Sequence, residues 1–347
     1  MHMADALLSP AVGTAFWAGT IGTIAYCTRK LKNTMDEKLV PLMGVLGAFI
    51  FAVQMINFTI PGTGSSGHLG GGLILAVILG PYAAFIVMAS VLTIQAFFFA
   101  DGGLLALGCN IWNLGIYPCF IAYPLIYKPL VKAGSSPKRI TLAALISAVV
   151  GLQLGAFSVV IQTLLSGQSD LPFRTFGLMM QPLHLAIGLV EGFATAGVIN
   201  FVRVSRPEIL ESVASEHPLP ANISIRNIVI GLLVAAVLSG GILSWFASVN
   251  PDGLEWSIEK VIGKPEFPEK ENVMAPVARS IQKKTAFLPD YNFRKSEGVS
   301  EGPMPGQASM PRPVADPGRS VSGILGSVMV LAAVLVAGLA IRAARKK

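Results

Sequence analysis

The sequence predicts an all-α, polytopic membrane helix bundle, and three observations carry that prediction. The chain of 347 residues is 53% hydrophobic and only 13% charged, with a mean hydropathy of +0.64, a balance foreign to soluble domains. Apolar stretches of about 20 residues, long enough to cross a hydrocarbon core, recur along it. Lys and Arg gather in alternate connecting segments, as they do in cytoplasmic loops of membrane proteins.

Stretches at 10–28, 39–59, 104–127, 140–165, 182–202, 228–248 and 323–342 each have the composition of a membrane helix. The apolar run 69–99 is longer, with Gly80-Pro81 near its middle. Proline removes a backbone donor and clashes with the preceding turn, so the run reads as two passes broken there. From Gly70 to Gly80 a helix rises only ~16 Å, about half of a ~30 Å core. Such a half-helix has to be buried by neighbours, and broken helices of this kind mark binding sites in membranes.

Charge placement supports nine passes. With the amino terminus outside, fifteen Lys/Arg and five Asp/Glu fall on inner segments. The balance is +10 inside, −2 outside and −1 within the membrane, in agreement with the net charge of +7. Counting 69–99 as one helix would put Lys128, Lys132, Lys138 and Arg139 outside. The expected topology is therefore a multi-pass protein of the cytoplasmic (inner) membrane with its carboxyl end in the cytoplasm. No basic segment precedes the first apolar stretch, so a cleavable signal peptide is not expected and residue 1 is expected to remain. Cys27, Cys109 and Cys119 have no paired spacing and read as small core residues. The dispersed bases form no aromatic-interleaved patch, so no nucleic-acid partner is expected.

Residues 1–203 hold seven of the passes. Residues 204–225, with their charges and Pro207, Pro218 and Pro220, read as an inner-face linker. Residues 226–347 hold two helices around segment 249–321, whose ten prolines and balanced charges predict an extended, poorly packed outer loop.

The chemistry begins at Met1-His2. An α-amine on residue 1, the amide nitrogen of His2 and an imidazole nitrogen of His2 can close fused chelate rings around one ion, and planar nitrogen donors suit Ni(II) or Cu(II). A fourth donor is at hand in His68, at the end of Gly62-Thr63-Gly64-Ser65-Ser66-Gly67. Glycines there permit tight conformations that would fold His68 back toward the amino terminus. Read alone, the opening tripeptide favours an ordinary solvated residue beside the start codon or a cloning remnant.

Several motifs in order resemble the NikM/CbiM family: Met1 through Pro10, the glycine-rich segment ending at His68-Leu69-Gly70-Gly71, Asp101-Gly102-Gly103-Leu104, Leu107-Gly108-Cys109-Asn110, and His184 with Glu191-Gly192. These are substrate-binding S components of energy-coupling-factor (ECF) transporters for nickel and cobalt. The tail, with Pro251-Asp252-Gly253-Leu254-Glu255, resembles the two-helix NikN/CbiN partner, so the whole resembles a NikMN fusion. The resemblance implies a seven-helix bundle whose first residues insert into an outer pocket, with Met1, His2 and His68 as metal ligands. Met3-Ala4-Asp5-Ala6 departs from the usual family wording. The resemblance also implies Ni(II) as transported substrate, Co(II) being possible, no bound organic cofactor, and as partners an ECF transmembrane T component and ATPase subunits. An external motor is needed in any case, since the chain has no phosphate-binding loop.

Other polar residues have two readings each. Asn110 and Asn113 share a helix face and serve either as interhelical glue or to support the metal site. Asp101 reads as a helix cap or as a neighbour of the ligands. His184 and Glu191, seven apart on one face, read as a structural pair or as groups that orient ligands. Ala48 and Ala52 form a small-xxx-small surface on which the T component is expected to dock. The functional alternatives are cobalt uptake by the same mechanism or a passive transition-metal facilitator. The latter would need ligands or charges along a whole pore, and Glu191 with sparse asparagines falls short. An enzyme is not expected, for want of a paired-His zinc motif or a nucleophile with its base.

Overall fold

The computed structural model describes residues 2–34, 38–132, 134–169, 171–220, 222–263, 274–294 and 315–345. Helices occupy each of the nine predicted stretches: α1 (Pro10–Thr34), α2 (Leu39–Gln54), α3 (Gly72–Leu79), α4 (Pro81–Phe99), α5 (107–130), α6 (Pro137–Ser166), α7 (Phe173–Ser205), α9 (Arg226–Gly241) and α12 (Pro317–Arg345). Four of them, α4, α6, α7 and α12, are long and apolar enough by themselves to cross a membrane. Large aliphatic and aromatic side chains lie bare on the outside, including Phe193 at 61%, Val204 at 79% and Val336 at 66% exposure. A soluble chain would bury them; in a membrane they face lipid.

The break at Gly80 is real. This residue has φ 79° and ψ 161°, a conformation open to glycine and costly for any side chain. Pro81 then starts α4 at the position where its missing N–H matters least. Every residue of α3 is buried, as a half-helix at membrane depth requires. The middle of α5, Trp112–Tyr127, is wound in the wider i→i+5 pattern around Pro118 and Pro124. Helix α7 begins nine residues before the predicted start and runs through Pro182; membrane helices tolerate an internal proline when neighbours satisfy the freed carbonyl.

Close packing rests on small residues. Cβ atoms at Gly188 and Gly192 of α7 would lie 2.9 Å and 2.6 Å from the α6 backbone at Val149 and Leu145, so only glycine lets these helices approach so closely. Gly240 of α9 meets Gly323 of α12 backbone to backbone. Helix α12 then lies along α2, where Ser327 donates to the Ala48 carbonyl at 3.1 Å and Gly326 fits against Phe51. Ala48 and Ala52 were expected to form the docking surface for the T component. Both are buried, at 1% and 0% exposure, and the close approach their spacing allows is taken by the chain's own last helix.

Two departures from the expected all-helical outline position the site. The glycine-rich segment forms a hairpin, β1 (Phe58–Ile60) against β2 (Ser65–Gly67), with Gly62 and Gly64 at positive φ in the turn. Segment 249–321 is not the extended loop expected from its prolines: its described parts hold α10 (Gly253–Ile262) and α11 (Met274–Thr285). Asp252 caps α10 through the N–H groups of Leu254 and Glu255, and the Glu255 side chain returns a bond to the Asp252 N–H. Such a reciprocal cap overrides the breaker signal of the preceding proline. Finally α8 (Pro207–Ser215), in the predicted linker, packs under the bundle at the end remote from the hairpin, with Val213 beside Gly80.

Candidate metal centre

The chain start is threaded into one end of the bundle. Asn110 holds residue 3 on both sides, accepting from the Met3 N–H at 2.8 Å and donating to the Met3 carbonyl at 3.2 Å. Gly103 N–H also reaches that carbonyl, at 2.9 Å. Asp5 accepts from the Ala106 N–H at 2.9 Å, and Met3, Leu7 and Leu8 are all but fully buried. Burying each such side chain is worth about 1.5–3 kcal/mol, so the segment is anchored rather than frayed.

His68 is fixed from the other side. After β2 the chain turns at Gly70-Gly71, whose N–H groups both donate to Glu191, at 2.7 Å and 3.1 Å. Gln54 donates to the Gly70 carbonyl at 2.7 Å, and Gln95 donates to Gln54 at 2.9 Å. Glu191 thus places its carboxyl group at the N-terminus of α3, where the free N–H groups of the first turn donate to such a partner. It does not pair with His184, whose Nδ1 bonds the Met180 carbonyl at 2.8 Å. Seven residues on one helix face put the two in line but spread them over two turns, and nearer backbone groups take both. His184 lies next to Gly253 and shares a small cavity with His68 and Asp252. Asn113 forms a two-way amide pair with Gln162, at 2.8 Å and 2.9 Å, and touches the Met3 sulfur at 3.9 Å, while Asn110 holds the Met3 backbone.

These anchors bring His2 and His68 together. Their rings lie parallel within 9°, with centroids 4.9 Å apart. Nδ1 of His2 is 3.1 Å from Oδ1 of Asp101, and Nε2 of His2 is buried without a hydrogen-bond partner among the described residues. His68 Nδ1 lies 3.0 Å from the Leu69 carbonyl. Burial pushes both imidazoles down to about 3 from the usual 6.5, so both rings are neutral donors. Burial also raises the Asp101 carboxyl. Met1 lies outside the described residues, so of the expected ligand set the geometry concerns His2 and His68.

The carboxyl-terminal module, which the sequence marks as a helper packing against the first part or a partner, roofs this pair from three directions. Ser66 of β2 pairs with 250–252, its N–H donating to the Pro251 carbonyl and its hydroxyl to that of Asn250, both at 2.8 Å. Gln282 of α11 donates to the Gly102 carbonyl at 2.7 Å, and Tyr291 donates to Asp101. Between roof and bundle lies a cleft of about 460 Å³ lined by His2, His68, Asp101, Asp252 and Glu255, with Arg279 and Arg319 at its edge. The Asp252 and Glu255 motif was visible in the sequence, but nothing in the sequence said what it faced.

Comparison with known proteins bears on this arrangement. Residues 2–209 match the CbiM family, described as the cobalt uptake substrate-specific transmembrane region. The chain belongs to the CbiM family. Residues 226–343 match the PDGLE domain. A putative fused nickel transport protein NikMN of Archaeoglobus fulgidus is 35% identical over 68% of this chain and 76% of its own length. A probable fused nickel transport protein LarMN of Lactiplantibacillus plantarum is 31% identical over 75% of this chain and 79% of its own. The crystal structure of a truncated transition metal transporter superposes with a TM-score of 0.52 at 30% identity, covering 59% of this chain and 99% of that one. This CbiM-family protein is therefore a multi-pass, metal-transport membrane protein and not an enzyme.

Proposed function

We propose that this chain captures Ni(II) at the outer face of the cytoplasmic membrane and hands it inward as the S component of an ECF-type importer, residues 1–203 forming the binding bundle and 226–347 its roof. The observation that carries the reading is the juxtaposition of two neutral, buried imidazoles, His2 and His68, at the threaded chain start. In the proposed site the α-amine of Met1, the amide nitrogen and Nδ1 of His2, and a ring nitrogen of His68 surround the ion. Nδ1 is the His2 nitrogen that closes a six-membered ring with its own amide. On capture the ion comes between this nitrogen and Asp101, whose carboxylate offsets part of the charge, while Tyr291 keeps that carboxylate in place. Four nitrogen donors favour Ni(II) over Co(II) by intrinsic affinity, and competitive binding of the two ions to the purified chain measures that preference.

Transport needs energy from elsewhere, and we assign it to an ATPase module with a transmembrane T component. Ala48 and Ala52 are buried, and Ser327 of α12 bonds the Ala48 carbonyl, which favours another face for that partner. The test is Ni(II) uptake by cells or liposomes with and without ATPase subunits: uptake dependent on them supports the reading, and uptake by liposomes holding this chain alone favours a passive facilitator.

A further inference from the structure

At the end of the bundle opposite the histidines, α3, α5, α6, α7 and α8 line a second, half-open cavity of about 730 Å³. Lys128, Lys132 and Arg203 line it, with Glu211 on the α8 wall. Lys128 is partly engaged with Glu216 on its exposed side, at 2.9 Å. Arg203 is not saturated. Its Nε is buried with no hydrogen-bond partner among the described residues, and one terminal nitrogen reaches the Ser135 carbonyl at a long 3.4 Å. A guanidinium carries five donors in a planar fork shaped for phosphate or carboxylate oxygens, and a buried donor left unpaired is a cost that a ligand oxygen would relieve.

The surroundings specify the kind of phosphate. Leu125 on α5 and Val204 on α7, close to the lining residues in sequence, are 69% and 79% exposed, bare aliphatic surface of the kind that faces acyl chains. Tyr123 and Tyr127 stack along the inner wall, and tyrosines are characteristic of headgroup depth. The volume is in the range of sites that enclose a small molecule, larger than one phosphate ion needs.

We infer that this cavity binds the phosphate of an anionic phospholipid, with Arg203 and Lys132 holding the phosphate oxygens and the acyl chains lying beside Leu125 and Val204. Basic pockets between membrane helices bind anionic headgroups in this way on the cytoplasmic side, the side the charge balance assigns to this end. Glu211 tempers the site, since a carboxylate beside the phosphate lowers affinity.

The test is lipid binding to the full chain in phosphatidylcholine nanodiscs with and without phosphatidylglycerol, read by native mass spectrometry of retained lipid. Phosphatidylglycerol is expected to be retained about tenfold or more over phosphatidylcholine, and Arg203→Gln to remove most of that preference. Glu211→Gln is expected to strengthen retention, a gain that misfolding cannot imitate. Millimolar inorganic phosphate is expected to leave the lipid in place. Equal retention of the two lipids, no effect of Arg203→Gln, or weakened retention in Glu211→Gln would overturn the assignment. Displacement by inorganic phosphate would assign the cavity to a soluble anion and overturn the lipid reading.

Discussion

Replacing Asn110 by alanine tests whether the threaded amino-terminal segment sets metal affinity. Asn110 accepts from the Met3 N–H and donates to the Met3 carbonyl. The carbonyl keeps its bond from Gly103, so the loss falls on an N–H belonging to a residue with 0% exposure. A buried unpaired donor costs about 1–3 kcal/mol, and the lost second bond about 0.5–1.5 kcal/mol. His2 meets His68 only when this segment is docked, so the cost passes into binding, reduced by whatever water enters the space. The expected result is Ni(II) affinity weakened about 10- to 100-fold, measured by competition with a coloured chelator on the detergent-solubilised full chain. Asn113→Ala is the comparison variant: it breaks the pair with Gln162 and only a weak 3.9 Å contact to the Met3 sulfur, so it lowers the melting temperature and weakens Ni(II) binding less than Asn110→Ala does. If Asn110→Ala bound Ni(II) within twofold of wild type, docking of residues 2–9 would not control the site and the reasoning would fail.

Three further outcomes follow from the same geometry. A Cβ at Gly103 would fall on the Asp5 carboxylate and 2.5 Å from the Asp5 backbone nitrogen, so Gly103→Ala should expel the segment and weaken Ni(II) binding more than Asn110→Ala does; a milder effect contradicts this packing. Asp252→Ala removes the α10 cap, a loss of about 0.5–2 kcal/mol, and should speed both hydrogen exchange in 253–262 and Ni(II) release; an unchanged release rate would mean that the roof does not retain the ion. The third concerns pH. His2 and His68 titrate near 3 when folded and near 6.5 when unfolded, so the unfolded chain takes up protons first, and the stability due to the neutral rings is full above about 6.5 and lost as pH falls toward 3. Melting temperature should drop across that window, less so in a His2→Ala, His68→Ala double variant. Weakening of Ni(II) binding as pH falls from about 8 to 6 is expected from protonation of the amine donor, and a midpoint at about 6.5 would instead implicate a solvated imidazole.

The sequence displayed the helices more fully than their partners. Hydropathy and one Gly-Pro pair located nine helices and the break at Gly80, because lipid imposes length and composition on each span separately. His2 and His68 were legible as donors from residue chemistry, and Asp101 as their neighbour was one of two open readings. For His184 and Glu191 two readings were open, a mutual pair or groups that orient ligands, and the bonds from Gly70 and Gly71 to Glu191 favour the second for Glu191, since helix periodicity reports which face a residue occupies and not which backbone group on another element it meets. Ala48 and Ala52 announced a close helix contact correctly in kind, but a small-residue stripe does not say whether the approaching helix belongs to the same chain. The roof was hidden for a related reason. Its prolines suggested an extended loop; the cap at Asp252 is local, whereas the bonds from Gln282 and Tyr291 that dock the roof reach surfaces 180 and 190 residues away in sequence.

The central claim is that the amine of residue 1 acts with His2 and His68 on one ion. Adding two residues ahead of Met1 keeps both histidines in the chain and converts that amine into an amide. The Ni(II) affinity of this extended chain, measured beside the unextended one, is the most direct test. The account predicts a loss of about 100-fold or more, since one donor and one chelate ring disappear together. Equal affinity would contradict it.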